Sequence, residues 1–465
     1  MGTISDKLMR IINTKEDIRQ ALISKGYDVP TSIPFKEYAK MISDLPCKVD
    51  DFPKLPGDVT RWHFGGLTNE MMAAMDDPRI EDADGKGRFL SFKNFAWKEG
   101  SGISDVYPGA LVFDGVYDCG VCDNFPILTK EKGYTVVVLR QWDQDFLNTT
   151  LTGGLLSTRN YSTGEGVAFE KIESSNKGYW NLGAGGIIDF AKSPFTWQTS
   201  KQYNNVGILK GDKNHGKPLC VGCGLSGGQQ CGRFAIWELV FLDHDATEEE
   251  LTKIKDYFVK TYPWLFPDQA WTVVGKTNED EDRATIANIT GNGNDLALSN
   301  FGFAEGSGYN EEGEYASYLV TDGVDDKIIS SIFKMGNDWT VIGDWELINT
   351  GKNDNAGIVK FDSIVIYNYN YNSMLINIKN GRNILIPDQN TVNAICSDGR
   401  IYSKDWKESI YNEETESTSK NFLTIGYSGN TYTKIAFKNL AIYPTVLSRE
   451  DCIKAYNYLQ TLKAK

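Results

Sequence analysis

Apolar and polar residues alternate one for one in short runs along most of the chain. "TVVVLRQW" (135–142), "FAIWELVFL" (234–242), "SIVIYNY" (363–369), "MLINIKN" (374–380) and "NFLTIGYS" (421–428) are examples. Period two between Gly, Asn and Asp punctuation predicts half-buried strands of antiparallel sheets. Two stretches switch to helical spacing. Thr247 with Glu250, and Ser448 with Asp451, stand at N-cap and N3 spacing, so each pair predicts a helix start. Leu251, Ile254, Tyr257 and Phe258 follow the first, and Ile453, Tyr456, Leu459 and Leu462 the second.

The pattern also repeats itself. "GKGRFLSFKNFAWKEGSG" (85–102) matches "GNGNDLALSNFGFAEGSG" (291–308), and "LVFDGVYD" (111–118) matches "LVTDGVDD" (319–326). "YTVVVL" (134–139) answers "WTVIGD" (339–344), and the strand-plus-helix stretch 234–258 answers 435–459. Four matches in one order imply a duplicated unit. The predicted copies are 60–268 and 269–465, each many short strands closed by one helix, a β-sandwich pattern rather than βαβ.

Residues 1–45 differ. Ile4, Leu8, Ile11 and Ile12 form one apolar stripe, and Thr14 caps a helix carrying Ile18, Ala21 and Leu22 with Gly26 past its end. Phe35, Tyr38, Met41 and Ile42 mark a third helix. Three prolines in "PCKVDDFPKLPGD" predict a stiff linker over 46–59. So short a helical module is marginal alone and is expected to dock on something, with Ile11, Ile12, Ile18, Leu22, Phe35 and Tyr38 as anchoring candidates.

Both copies resemble concanavalin A-like (laminin-G-like) jelly-roll domains, through the "LVTDGVDD" strand and the ending "NLAIYPTVLSREDCIKAYNYL". The stretch "ISDKLMRIINTKEDIRQALISKGYDV" with "PFKEYAKMI" resembles an N-terminal module of fibre and structural proteins of tailed bacteriophages, nearest to those of crAss-like phages of gut Bacteroides. These likenesses imply a mainly β fold, two tandem sandwiches behind a small α-helical module. They imply a virion head fibre or capsid decoration, bound to capsid or tail proteins as a homo-dimer or homo-trimer and touching a host-surface glycan. A tail fibre or receptor-binding protein, or a bacterial carbohydrate-binding lectin, are the alternatives.

Composition narrows the partners. With 48 basic against 62 acidic residues, a net charge of −14, the chain gains nothing from phosphate backbones or anionic lipid, so no nucleic acid and no membrane is expected. The start, "MGTISDKLMRIINTKEDIRQAL", lacks an apolar export segment. A virion protein assembled in the host cytoplasm and exposed on the particle surface reconciles that start with sandwich domains.

Candidate chemistry is sparse. Cys119-x2-Cys122 and Cys220-x2-Cys223 have zinc-like spacing. The second copy puts Lys327, Ser330, Thr424 and Tyr427 at those positions, so ordinary sheet thiols are expected rather than zinc. A disulfide is not expected in a reducing compartment, and Cys47, Cys231, Cys396 and Cys452 fit no pattern. Asp114, Asp118, Asp322 and Asp326 flank Gly115 and Gly323 and read as hairpin or strand-end residues, with calcium left open at such loops. No strand carries acidic residues in the alternation a glycosidase needs. His63, His215 and His244 have no nucleophile motif beside them. No enzyme is expected. Tyr367, Tyr369 and Tyr371 alternate with Asn368, Asn370 and Asn372, giving either a sugar platform or a core-facing row.

Overall fold

The computed structural model describes residues 51–126, 133–147, 149–158, 218–225, 229–331, 336–348, 392–410, 423–428 and 431–464, with Lys15. It also describes the strands Ala168–Lys171, Lys177–Trp180, Ile188–Asp189, Phe195–Thr199, Gly357–Phe361, Ile364–Asn370, Ser373–Ile378 and Arg382–Ile386 as backbone. The chain divides into two compact units, Met1–Lys54 and Leu55–Lys465, and the division falls inside the proline-bearing stretch.

The larger unit is mainly β. Its first copy has a six-stranded sheet in the order Phe195–Thr199, Thr135–Trp142, Arg233–Leu242, Leu111–Asp114, Gly102–Ile103, with Val59–His63 also on Arg233–Leu242. Facing it is a sheet whose main path runs Ile188–Asp189, Lys177–Trp180, Ala168–Lys171, Gly153–Ser157, Leu219–Val221, Cys119–Cys122, Phe89–Lys93, Arg79–Glu81. The second copy repeats both orders. Val392–Cys396, Thr340–Leu347, Ile435–Tyr443, Tyr318–Val320 and Gly308–Asn310 reproduce the first sheet, with Gln269–Thr272 in place of Val59–His63. Thr285–Ile286 through Arg382–Ile386 reproduce the second.

Each pair of sheets encloses its own core. Leu90, Phe113, Val138, Trp142, Leu156 and Phe234 belong to the first, and Trp271, Leu319, Val341, Ile395, Ile425 and Phe437 to the second. Both copies slip register at one matching point. The pairing skips Trp237 in the first and Lys438 in the second, a bulge in the same long strand.

The terminal helices are Glu248–Thr261 and Arg449–Gln460. Thr247 and Glu250 form the full reciprocal capping box, while Ser448 Oγ accepts from Asp451 N at 3.1 Å. In the second helix the buried stripe is Cys452, Ala455, Tyr458 and Leu459, so Ile453 and Tyr456 are only half-buried, one position off the expected face. The expectation of half-buried strands also fails at the centre of the first copy's six-stranded sheet, where residues 234–242 are all buried. Every residue of Thr135–Trp142 is buried, because the outer face of its sheet is covered too, as the seam below shows. Among the described residues no helix is long and apolar enough to cross a membrane.

Candidate functional site

The repeated sentences of the sequence form one loop assembly in each copy. Asn94 and Asn300 both have φ +68°, and Trp97 and Phe303 both +49°, the left-handed region that side chains rarely enter. Ser101 Oγ accepts from Ala96 N and Ser307 Oγ from Gly302 N, each at 2.8 Å. Asn94 Nδ2 then donates to the Tyr117 carbonyl and Asn300 Nδ2 to that of Asp325, each at 2.9 Å. The loop is thereby tied to the DGV turn.

Within this turn the two aspartates bind backbone reciprocally. Asp114 Oδ1 accepts from Val116 N at 2.7 Å, and Asp118 Oδ2 from Asp114 N at 3.0 Å. Asp322 Oδ1 and Asp326 Oδ2 do the same, each at 2.7 Å. Gly115 and Gly323 lie at φ +77° and +76°, where an added Cβ would meet Arg233 and Lys434 at 2.9 and 3.0 Å. These carboxylates are strand-end residues and not hairpin residues, because the turn carries the chain from one sheet to the other: Leu111–Asp114 and Cys119–Cys122 lie in different sheets, as do Tyr318–Val320 and Lys327–Ser330. Asp322, Asp325 and Asp326 bring oxygens within 4.8 Å of one another. The first copy builds the same turn with Tyr117 in place of Asp325, so the turn itself needs no third carboxylate.

Burial pushes Asp118 and Asp326 up to about 6 from 3.8, against the Ser101 hydroxyl and the Asp322 backbone amide respectively. A folded carboxyl with a raised value holds a proton that the unfolded chain has released. Stability from these two groups is therefore present below about pH 4 and falls as pH rises to about 6. Asn at both sites keeps an acceptor and cannot ionise. Urea midpoints at about pH 4.5 and about pH 7 should show D118N/D326N losing less stability on that rise than the parent does. An equal loss in both proteins would mean that the pair ionises normally.

The cysteines depart from expectation. Cys122 turns into the first core, fully buried. Cys119 and Cys220 face the other way and meet Cys223 and Cys231 in a separate buried cluster, packed by Val121. Cys223 and Cys231, paired across a short hairpin, are joined by a disulfide, contrary to the expectation of none. Cys119, Cys122 and Cys220 are free thiols. Cys231 was missed because the residues between it and Cys223 fit no zinc-like spacing. Cys396 and Cys452, also without a sequence pattern, adjoin each other as buried thiols.

Glu238 is fully buried behind the first sheet. Arg61 Nη1 reaches its Oε2 at 3.3 Å, and the Tyr257 and Tyr262 hydroxyls donate to its Oε1 at 2.8 and 2.9 Å. His63 Nδ1 lies 2.9 Å from the same oxygen. Burial followed by the Glu238 charge raises both tyrosines well above their ordinary value. This network pins the helix Glu248–Thr261 to the sheet. His244 is likewise held, 3.0 Å from Glu250 Oε1, and His215 lies outside the described residues.

The second copy docks against the first through its helix. Tyr458 OH donates to Gln141 Oε1 at 3.3 Å and meets Trp237 edge-on, centroids 6.3 Å apart. Lys463 pairs with Asp145 beside them. Beside Gln141 and Tyr458 is a cleft of about 330 Å³ lined by Lys255, Phe266, Asp268, Thr290 and Asn292 among others. Asp268 is its one carboxylate among the described residues, short of the pair that glycoside hydrolysis uses.

The anchoring candidates Ile11, Ile12, Ile18, Leu22, Phe35 and Tyr38 lie outside the described residues, as does Tyr371. Tyr367 and Tyr369 are on the strand Ile364–Asn370, whose pairing slips register between Asn368 and Asn370. No family model matches the chain, and no curated protein does. Among solved structures, the binding domain of botulinum neurotoxin serotype D is similar at 12% identity and TM-score 0.30, over 41% of this chain and 51% of that one. The binding domain of botulinum neurotoxin DC in complex with SialylT gives 16%, 0.30, 41% and 52%. A receptor binding domain gives 14%, 0.31, 44% and 53%. The chain thus spans about half the length of the chains it matches. Likeness of this degree says nothing about a ligand.

Proposed function

We infer that this chain is a non-enzymatic structural component of a tailed-phage particle, a head fibre or capsid decoration. It holds on through residues 1–58 and displays two β-sandwiches for adhesion to a host-surface glycan. The observation that carries this reading is the seam of Trp237, Gln141 and Tyr458, which fixes two sandwiches of one topology as a tandem pair. A fixed pair suits display, because many weak sites held at set spacing gain avidity without any one being tight. The repeated acidic residues support the same reading, since they bind the backbone of the turn between the sheets. The N-terminal likeness to phage fibre modules supplies the particle, and a dimer or trimer would multiply the displayed sites.

The test is co-sedimentation of the full chain with purified particles, beside a variant carrying Ile11→Asp, Ile18→Asp and Leu22→Asp. Saturable pelleting is expected for the parent and at least about tenfold weaker pelleting for the variant, the loss of a buried apolar contact. Equal pelleting of both would remove the anchor. No pelleting, together with glycan-array binding by the full chain, would make the protein a free-standing lectin.

A further inference from the structure

We propose that Cys119, Cys220, Cys223 and Cys231 are a four-cysteine zinc site in the reduced chain. The sulfurs of Cys119, Cys220 and Cys223 lie within 4.8 Å of one another, and Cys231 is bonded to Cys223. Thiolates on a tetrahedral zinc with ~2.3 Å bonds stand about 3.8 Å apart, so small side-chain shifts bring the four onto one ion. All four are buried, at 0–6% exposure, in a cluster apart from the main core. They arrive from separate pieces of chain. Cys119 comes from one strand, Cys220 from its neighbour, Cys223 after a turn at Gly222 (φ +95°), and Cys231 from the returning hairpin strand.

The second copy shows what this spot holds when no sulfur is present. By register its four positions are Lys327, Thr424, Tyr427 and Tyr432. Lys327 Nζ stands 5.7 Å over the Tyr432 ring, closing the place with a cation–π contact. An apolar filling would call for branched aliphatic residues here. Instead all four sites of the first copy carry the one residue type that ligates as a set. Lys93, opposite Cys119 in the adjoining strand, places positive charge where four thiolates and one Zn2+ leave a net negative charge.

The chemistry balances simply. A dithiol reductant takes the Cys223–Cys231 bond to two thiols and is itself oxidised to a disulfide. Zn2+ then binds as the four thiols release four protons.

The test uses the full chain, reduced and supplied with Zn2+, then desalted and measured for bound metal. About one zinc per chain is expected, falling to a small fraction of that in Cys231→Ser and staying near one in Cys122→Ser. Co2+ loaded into the parent should give intense thiolate-to-metal absorption and tetrahedral visible bands, a reading that needs no variant to fold. Absence of bound zinc, the weak absorption of octahedral cobalt, or zinc kept by Cys231→Ser and lost by Cys122→Ser would each overturn the site.

Discussion

Arg61→Met is expected to destabilise the first sandwich by about 3–5 kcal/mol, because it strands a buried carboxylate. Glu238 has no exposure, and Arg61 is its one cationic neighbour of fixed charge among the contacts described. The hydroxyls of Tyr257 and Tyr262 remain, but neutral donors do not replace a guanidinium beside a carboxylate this buried. Glu238→Leu is expected to fail differently. It removes the carboxylate but leaves the Arg61 guanidinium buried without it, and takes one acceptor from the Tyr257 hydroxyl at about 1–3 kcal/mol, while Tyr262 keeps His63 Nδ1 at 2.9 Å. Urea unfolding followed by tryptophan fluorescence reads both. A loss below about 1 kcal/mol for Arg61→Met would mean that the network is wetter than its burial indicates.

Trp237→Ala should have two effects from one cut. The indole is fully buried, and its Nε1 donates to the Pro108 carbonyl at 2.9 Å, so truncation is expected to cost about 3–5 kcal/mol. The same side chain seats Tyr458 of the second copy. Calorimetry should therefore show the first sandwich melting earlier and apart from the second, where the parent melts as a coupled pair. Tyr458→Phe separates the contributions, since it keeps the ring against Trp237 and removes only the hydrogen bond to Gln141. A Trp237→Ala protein that still melts in one transition would show that the seam is held by other contacts.

These two positions also mark where sequence reading stopped. Local features were legible because the signal and its cause lie within a few residues. The Thr247–Glu250 box, the Asp114–Asp118 turn and the duplicated order of strands are of this kind. The seam pairs residues 317 apart in the chain, Gln141 with Tyr458, and alternation says nothing about what covers a sheet's outer face. That is why Thr135–Trp142 reads as half-buried and is wholly buried. Glu238 sits in "FAIWELVFL" next to the bulge, which an uninterrupted period-two reading does not contain. Comparing the copies was the better guide for cysteine. It correctly matched Cys220 with Thr424, but a match of single positions could not show four sulfurs meeting.

The shared bulge has one more consequence, for growth. The first copy meets its neighbour with Trp237 and Gln141, and Leu139 lies in the same pair of strands. At the corresponding places the second copy has Lys438, Glu346 and Asp344. Lys438 lies 3.8 Å from Asp344 and 5.5 Å over the Tyr318 ring, and Asp344 also accepts from Tyr318 OH and Gln460. A head-to-tail contact that could recur from molecule to molecule would lengthen into a filament. The second sandwich meets any such addition with charged groups already committed to one another, and burying them there would cost desolvation that the first copy's apolar seam does not.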